Sequence, residues 1–150
     1  FDDDGDVASP GSVELAISVG ATTRDGSVWV NSSTGASIDR DGDARQNPHM
    51  KPEVVAPGER IISTGEENLW YSSSGTSDAT VFVTGALALI LEDQPRLKPQ
   101  PGGDATCLIE VKRALLQSLG EGDGEHDLRG GYGALDAMEW LEQARTIPTC

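Results

Sequence analysis

The residues best suited to chemistry in this sequence are Gly75-Thr76-Ser77-Asp78, which open a long apolar run. In residues 79–91 the polar side chains are Thr80 and Thr84. A serine at the start of a buried helix meets unpaired backbone N–H groups, which suit an oxyanion that forms beside it during acyl transfer. The competing interpretation is a serine or threonine that caps a core helix, which is far commoner. This pattern alone does not decide between them.

Further motifs flank the serine in a fixed order. They are Ala16-Ile17-Ser18-Val19-Gly20-Ala21, Lys51-Pro52-Glu53-Val54-Val55-Ala56-Pro57-Gly58, Ile61-Ile62-Ser63-Thr64, Val83-Thr84-Gly85-Ala86-Leu87-Ala88-Leu89-Ile90-Leu91 and Gly131-Tyr132-Gly133-Ala134-Leu135-Asp136-Ala137. In this order and spacing they resemble the C-terminal half of a subtilisin-like serine protease (subtilase, peptidase S8 family), over about residues 9–144. The resemblance implies an α/β fold: three layers around a mainly parallel sheet, of which this chain supplies the C-terminal half.

The resemblance also implies the site residues of a serine endopeptidase. Ser77 is then the nucleophile, and its own backbone N–H is one donor of the oxyanion hole. The residues expected to bind a peptide or protein substrate are Ser72, Ser73, Ser74, Gly75 and Thr76 near the scissile bond, with Ala8, Ser9, Pro10 and Gly11 by the S1 pocket. The same likeness predicts a cis peptide bond between Ser9 and Pro10.

The catalytic Asp, the catalytic His and the oxyanion Asn of the family belong to the N-terminal half, which this sequence lacks. We therefore expect a processed or excised half whose partner is that N-terminal half, and no hydrolysis without it. The two histidines, His49 and His126, stand in polar loops and are most simply exposed. The alternative function is a catalytically inactive subtilase-like module kept for binding or assembly.

The charge of the chain limits its partners. There are 25 acidic and 11 basic residues, for a net charge of −14 and a pI near 4.3. No basic patch is present for nucleic acid, and the longest apolar run is too short to cross a membrane. The acidic excess suggests a halophilic or salt-tolerant source, and a calcium-rich extracellular setting is the competing explanation.

No cofactor is required by the predicted chemistry, but a structural calcium or sodium ion is a candidate. Alternating aspartates occur in residues 2–6 and 39–43, without the full spacing of a calcium loop. In an acidic protein such runs are more often solvated. The resemblance implies a different cation site, formed by backbone carbonyls at Gly11, Val13 and Ala16.

The two cysteines, Cys107 and Cys150, could pair or stay free. The resemblance favours a secreted, extracellular protein, and such a setting favours the disulfide.

The chain is predicted to be one domain, residues 1–150, with an acidic, mobile start over residues 1–8. Apolar patterning predicts strands over residues 12–21, 28–30, 54–56 and 60–62. A helix is expected over residues 78–92, buried nearly all round, and an amphipathic helix over residues 106–119. A closing helix over residues 136–144 should turn Trp140 and Leu141 inward.

Overall fold

A computed structural model gives the positions of residues 7, 10–35, 50–99, 106–120 and 125–148. Its main elements are β1 Val19–Thr22, β2 Val54–Pro57, β3 Ile61–Thr64, β4 Trp70–Ser73, α1 Thr76–Asp93, α2 Thr106–Ser118 and α3 Ala137–Thr146. β1 and β2 pair in parallel, with Val19 opposite Val54. β3 and β4 form an antiparallel hairpin, with Ile61 opposite Ser73. The predicted acidic start lies outside the described residues, apart from Val7.

The strands are shorter than the apolar pattern predicts. The strand expected from residue 12 begins only at Val19, because the segment before it folds into turns. In that segment the Val13 N–H donates to the Pro10 carbonyl at 3.0 Å, and the Ala16 N–H donates to the Val13 carbonyl at 3.1 Å. The strand expected at residues 28–30 is a single bridge between Val28 and Thr22. Strand β4 was not predicted.

The apolar core lies between the β1–β2 pair and the three helices. The strands contribute Ala21, Val54 and Ala56 to it, and α1 packs on both strands. Trp140 of α3 is fully buried, and its indole N–H donates to the Val111 carbonyl of α2 at 3.1 Å. This bond satisfies the one polar atom of the Trp140 side chain and joins the two helices. The predicted inward orientation of Trp140 is therefore confirmed, and Leu141 packs partly buried against the same core.

Helix α1 is buried on one side only, so the expectation of burial nearly all round is wrong for this chain. Its buried residues are Ala79, Val83, Ala86 and Ile90. An α-helix turns by about 100° per residue, which places Val81, Gly85 and Ala88 on the opposite side and Phe82 and Leu89 on the adjoining flank. The exposed fraction is 69% for Val81, 68% for Leu89 and 44% for Phe82. No element in the described part of the chain covers this surface, which we call the outer face of α1.

The C-terminal helix has a well-defined start. The Asp136 carboxylate accepts hydrogen bonds from the N–H groups of Met138 and Glu139, at 3.0 and 2.9 Å, and so caps α3. At the other end of the helix Arg145 binds Asp93 of α1. Hydrogen bonds from Arg145 lower the pKa of that carboxyl to about 2. Among the helices described, none has both the length and the apolar character needed to cross a bilayer.

Candidate active site

Ser77 is the second residue of α1, and it does not cap the helix. The cap position is held by Gly75, which has no side chain to accept a hydrogen bond. The interpretation of the motif as a serine or threonine cap is therefore wrong. Glycine at this position leaves the first turn of α1 open toward solvent, because no side chain covers the helix end.

The Ser77 backbone N–H is available for a ligand. Ser77 is exposed, and its N–H forms no hydrogen bond within the described part of the chain. The first N–H groups of a helix have no partner inside the helix, and they carry a positive partial charge. This is the arrangement that a donor of an oxyanion hole requires.

The turn between β2 and β3 holds residues 74–77, which we call the serine segment, in place. The Gly75 N–H donates to the Gly58 carbonyl at 2.7 Å. A Cβ atom at position 58 would lie 2.6 Å from the Ala21 Cβ and 2.7 Å from the Gly75 carbonyl oxygen. Glycine is therefore required at position 58 for β1 and the serine segment to approach the turn this closely. The Ser74 hydroxyl adds a second link by accepting from the Arg60 N–H at 2.9 Å.

Three of the predicted substrate residues line two cavities. Gly11 and Thr76 line one of about 250 Å³, together with β1. Ser72 lines another, of about 910 Å³, beside the β2–β3 turn. The Ser73 hydroxyl lies 2.5 Å from the Asp78 carboxylate, which ties β4 to the first turn of α1. Pro10 is exposed at the first turn of the segment before β1.

Some predicted residues cannot be placed. Ala8 and Ser9 lie outside the described residues, and so does the predicted cis bond that Ser9 would form with Pro10. The role of these residues at the S1 pocket stays a prediction.

His126 is engaged elsewhere in the fold. Its Nε2 lies 2.8 Å from the Pro52 carbonyl oxygen, and its ring contacts Tyr132 edge to face at 5.0 Å. The histidine is half-buried, so its expected exposure is wrong. His49 lies outside the described residues. Among the described residues none hydrogen-bonds the Ser77 hydroxyl, so none of them is placed to act as its general base.

Two of the three carbonyls predicted to bind a cation, those of Val13 and Ala16, already accept hydrogen bonds. The Val13 carbonyl accepts from the Ala16 N–H, and the Ala16 carbonyl accepts from the ammonium groups of Lys51 and Lys112 at 2.7 and 2.9 Å. Within the described ranges no three His, Cys, Asp or Glu side chains meet as metal ligands. Both runs of alternating aspartates lie outside those ranges. Lys112 was not foreseen, since nothing in its sequence neighbourhood points to residue 16.

Cys107 is disulfide-bonded in the structure. The sequence holds one other cysteine, Cys150, which lies outside the described residues. We expect the two to be paired, so that the unreduced chain is lighter than the reduced chain by the mass of two hydrogens. Intact-mass measurement with and without reductant, followed by peptide mapping, checks this. Two alkylatable thiols in unreduced protein would contradict the pairing.

Comparison with known proteins shows the family to which the chain belongs. The sequence profile of the subtilase family, peptidase S8, matches residues 2–133, and the chain belongs to that family. It is 31% identical over 145 residues to serine protease AprX of Bacillus subtilis, covering 87% of this chain and 30% of that protein. It is 32% identical over 123 residues to subtilisin-like protease 3 of Saccharomyces cerevisiae, covering 81% of this chain and 23% of that protein.

A solved structure gives the same result for the fold. The prenylagaramide maturation protease PagA superimposes with a TM-score of 0.67 at 27% identity, over 94% of this chain and 47% of that one. This confirms the predicted subtilisin-like α/β fold. The chain spans about half of this solved structure, and less than a third of the two relatives above.

Proposed function

We propose that this chain carries the nucleophile of a serine endopeptidase, with Ser77 as the attacking residue. The observation that carries the proposal is the position of Ser77: exposed, second in an apolar helix, with an N–H that is free of hydrogen bonds in the described structure. The subtilase family membership supports the same chemistry.

The proposed reaction uses Ser77 and groups from the N-terminal half. The Ser77 Oγ attacks the carbonyl carbon of a peptide bond, and its proton passes to a histidine of that half. The carbonyl oxygen becomes an oxyanion that accepts a hydrogen bond from the Ser77 N–H, beside a side-chain amide from the partner. Collapse of this intermediate expels the amine, which takes the proton from the histidine. Water then releases the acyl group from Ser77.

The outer face of α1 is the proposed docking surface for the N-terminal half. Counted at about 100° per residue, Ser77 lies on the same side of the helix as Val81, Gly85 and Ala88. Burial of this exposed apolar surface would favour docking, because apolar area is removed from water. Val81 is one helical turn from Ser77, so a partner that covers Val81 is thereby brought next to Ser77. Docking and assembly of the catalytic site are then one event.

The setting of the protease is proposed to be extracellular. The disulfide at Cys107 supports it, since disulfides persist in oxidising compartments. The net charge of −14 supports function at high ionic strength, where self-repulsion is screened.

Covalent labelling tests the proposal. A fluorophosphonate probe should label Ser77 when the chain is combined with its N-terminal half, and should leave the isolated chain unlabelled, because Ser77 then lacks a base. Mass spectrometry of the labelled peptide identifies the serine. Rapid labelling of the isolated chain, or labelling of another serine, would contradict the assignment. No labelling of the combined halves would favour the inactive binding module.

A docking variant separates assembly from chemistry. Leu89 stands twelve residues after Ser77, which is about 18 Å along the helix. Leu89→Glu should therefore reduce labelling only by weakening association, and excess N-terminal half should restore it. Leu108→Glu is the matched control, because Leu108 is a similarly apolar, partly exposed residue of α2.

A further inference from the structure

A buried cluster of charged side chains lies beside the carbonyls where the resemblance implies a cation. The Glu53 side chain is 4% exposed and that of Lys51 is 1% exposed. The Glu53 Oε1 accepts hydrogen bonds from the ammonium groups of Lys51 and Lys112, each at 2.6 Å. Its Oε2 accepts from the Ser18 N–H at 2.7 Å. Every oxygen of this carboxylate is therefore hydrogen-bonded.

The Lys112 ammonium has the surroundings of a bound cation. It donates to the carbonyl oxygens of Glu14 and Ala16 and to the Glu53 Oε1. An ammonium group carries three N–H donors, so these three oxygens use all of them. The side chain is 15% exposed and borders a cavity of about 350 Å³ that is also lined by Glu14 and Glu53.

A metal ion does not fit at the Ala16 carbonyl beside these ammonium groups. Lys51 also donates to that carbonyl, at 2.7 Å. Two ammonium groups and one carboxylate leave a net charge of +1 in a largely buried cluster. A further cation would add like charge where water cannot screen it well, which is strongly unfavourable.

We propose that the Lys112 ammonium takes the place of the cation. Its hydrogen bonds to the Glu14 and Ala16 carbonyls then hold residues 14–16 against α2. Without this ammonium, the charges of Lys51 and Glu53 would cancel. The three oxygens that bind it, the Glu14 and Ala16 carbonyls and the Glu53 Oε1, form what we call the oxygen cage. Once vacated, this cage would favour a monovalent ion over a divalent one. The Ala16 carbonyl oxygen lies 2.9 Å from the Lys112 Nζ, beyond the roughly 2.3–2.6 Å that calcium prefers, and the Glu53 Oε1 at 2.6 Å lies at the upper end of that range. An ion of the size of ammonium or potassium fits this cage.

Thermal unfolding of Lys112→Met tests the replacement. Methionine keeps the apolar stem but ends one atom short of the ammonium position. Unfolding is followed in choline chloride and in potassium chloride at equal ionic strength, so that general screening of the acidic chain is the same in both. We expect the variant to gain about 5 °C or more in potassium, saturating with concentration. The unsubstituted chain should melt at the same temperature in both salts.

The matched control is Arg113→Met, which removes a positive charge from the adjacent position of α2. Arg113 hydrogen-bonds Glu110 and none of the cage oxygens in the described structure, so this variant should melt alike in both salts. Equal melting of Lys112→Met in the two salts would overturn the proposal. So would a variant that stays unfolded in every salt, or a potassium-specific gain by the unsubstituted chain.

Discussion

Ser77→Ala is expected to abolish peptide hydrolysis by the assembled protease. Loss of a triad nucleophile removes the covalent route, and the turnover that remains is about 10⁴-fold or more below that of the intact site. Substrate binding should change little, because the hydroxyl is small and the oxyanion N–H belongs to the backbone. Single-turnover hydrolysis of a fluorogenic peptide, with the KM measured alongside, checks both statements.

A neighbouring serine supplies the control for this prediction. Ser72 is an exposed residue of β4 beside the larger cavity, and Ser72→Ala removes a serine hydroxyl oxygen just as Ser77→Ala does. It should retain turnover within about tenfold, since the predicted role of Ser72 is to contact substrate and not to make or break a bond. Equal losses for Ser72→Ala and Ser77→Ala would argue that the Ser77 effect comes from folding or docking.

The largest effect on stability is expected from Glu53→Gln. The amide cannot balance Lys51 and Lys112, so two ammonium groups would remain in the buried cluster without a counter-charge. Removal of one partner from a buried ion pair typically lowers the free energy of unfolding by about 3–5 kcal/mol. Urea unfolding with an unchanged m-value would measure the loss.

The pH dependence of this loss has a definite sign. Burial lowers the pKa of the Lys51 ammonium, and hydrogen bonding to Glu53 opposes that shift. Without Glu53 the pKa should fall further, so the folded variant binds fewer protons than the unfolded chain below the usual lysine value of 10.5. Stability then rises with pH, and the deficit of Glu53→Gln should shrink as pH approaches that value.

Glu110→Gln is the control for the Glu53 variant. It breaks the pair with Arg113, whose side chain is more than half exposed, and should cost less than about 1 kcal/mol. A Glu53→Gln loss as small as this would show that the buried cluster is not held by charge.

The helices were the most predictable part of the fold. The spacing of Leu108, Val111 and Leu115 predicted the bounds of α2 correctly, except that the helix ends one residue earlier than expected. The burial of Trp140 followed from its position in α3. Such periodic signals are local, so a single sequence contains them. The prediction of a strand before Val19 was wrong because apolar residues in a turn-rich segment, such as Val13 and Leu15, resemble a strand in composition.

The contacts that could not be predicted join distant parts of the chain. Lys112 of α2 contacts Glu53, which precedes β2, and Ala16, which precedes β1, and neither residue spacing nor residue type predicts that contact. The outer face of α1 was misjudged for a related reason. Its apolar residues predict a buried environment, but no element among the described residues covers them.

The shared side of α1 has a kinetic consequence. If Ser77 and the docking residues Val81 and Ala88 stand on one side of one helix, the halves cannot associate in the proposed way without completing the site. Activity would then follow the product of the two concentrations at high dilution, and level off once association saturates. Two halves supplied as separate chains would then act as a coincidence detector, silent wherever only one of them is present.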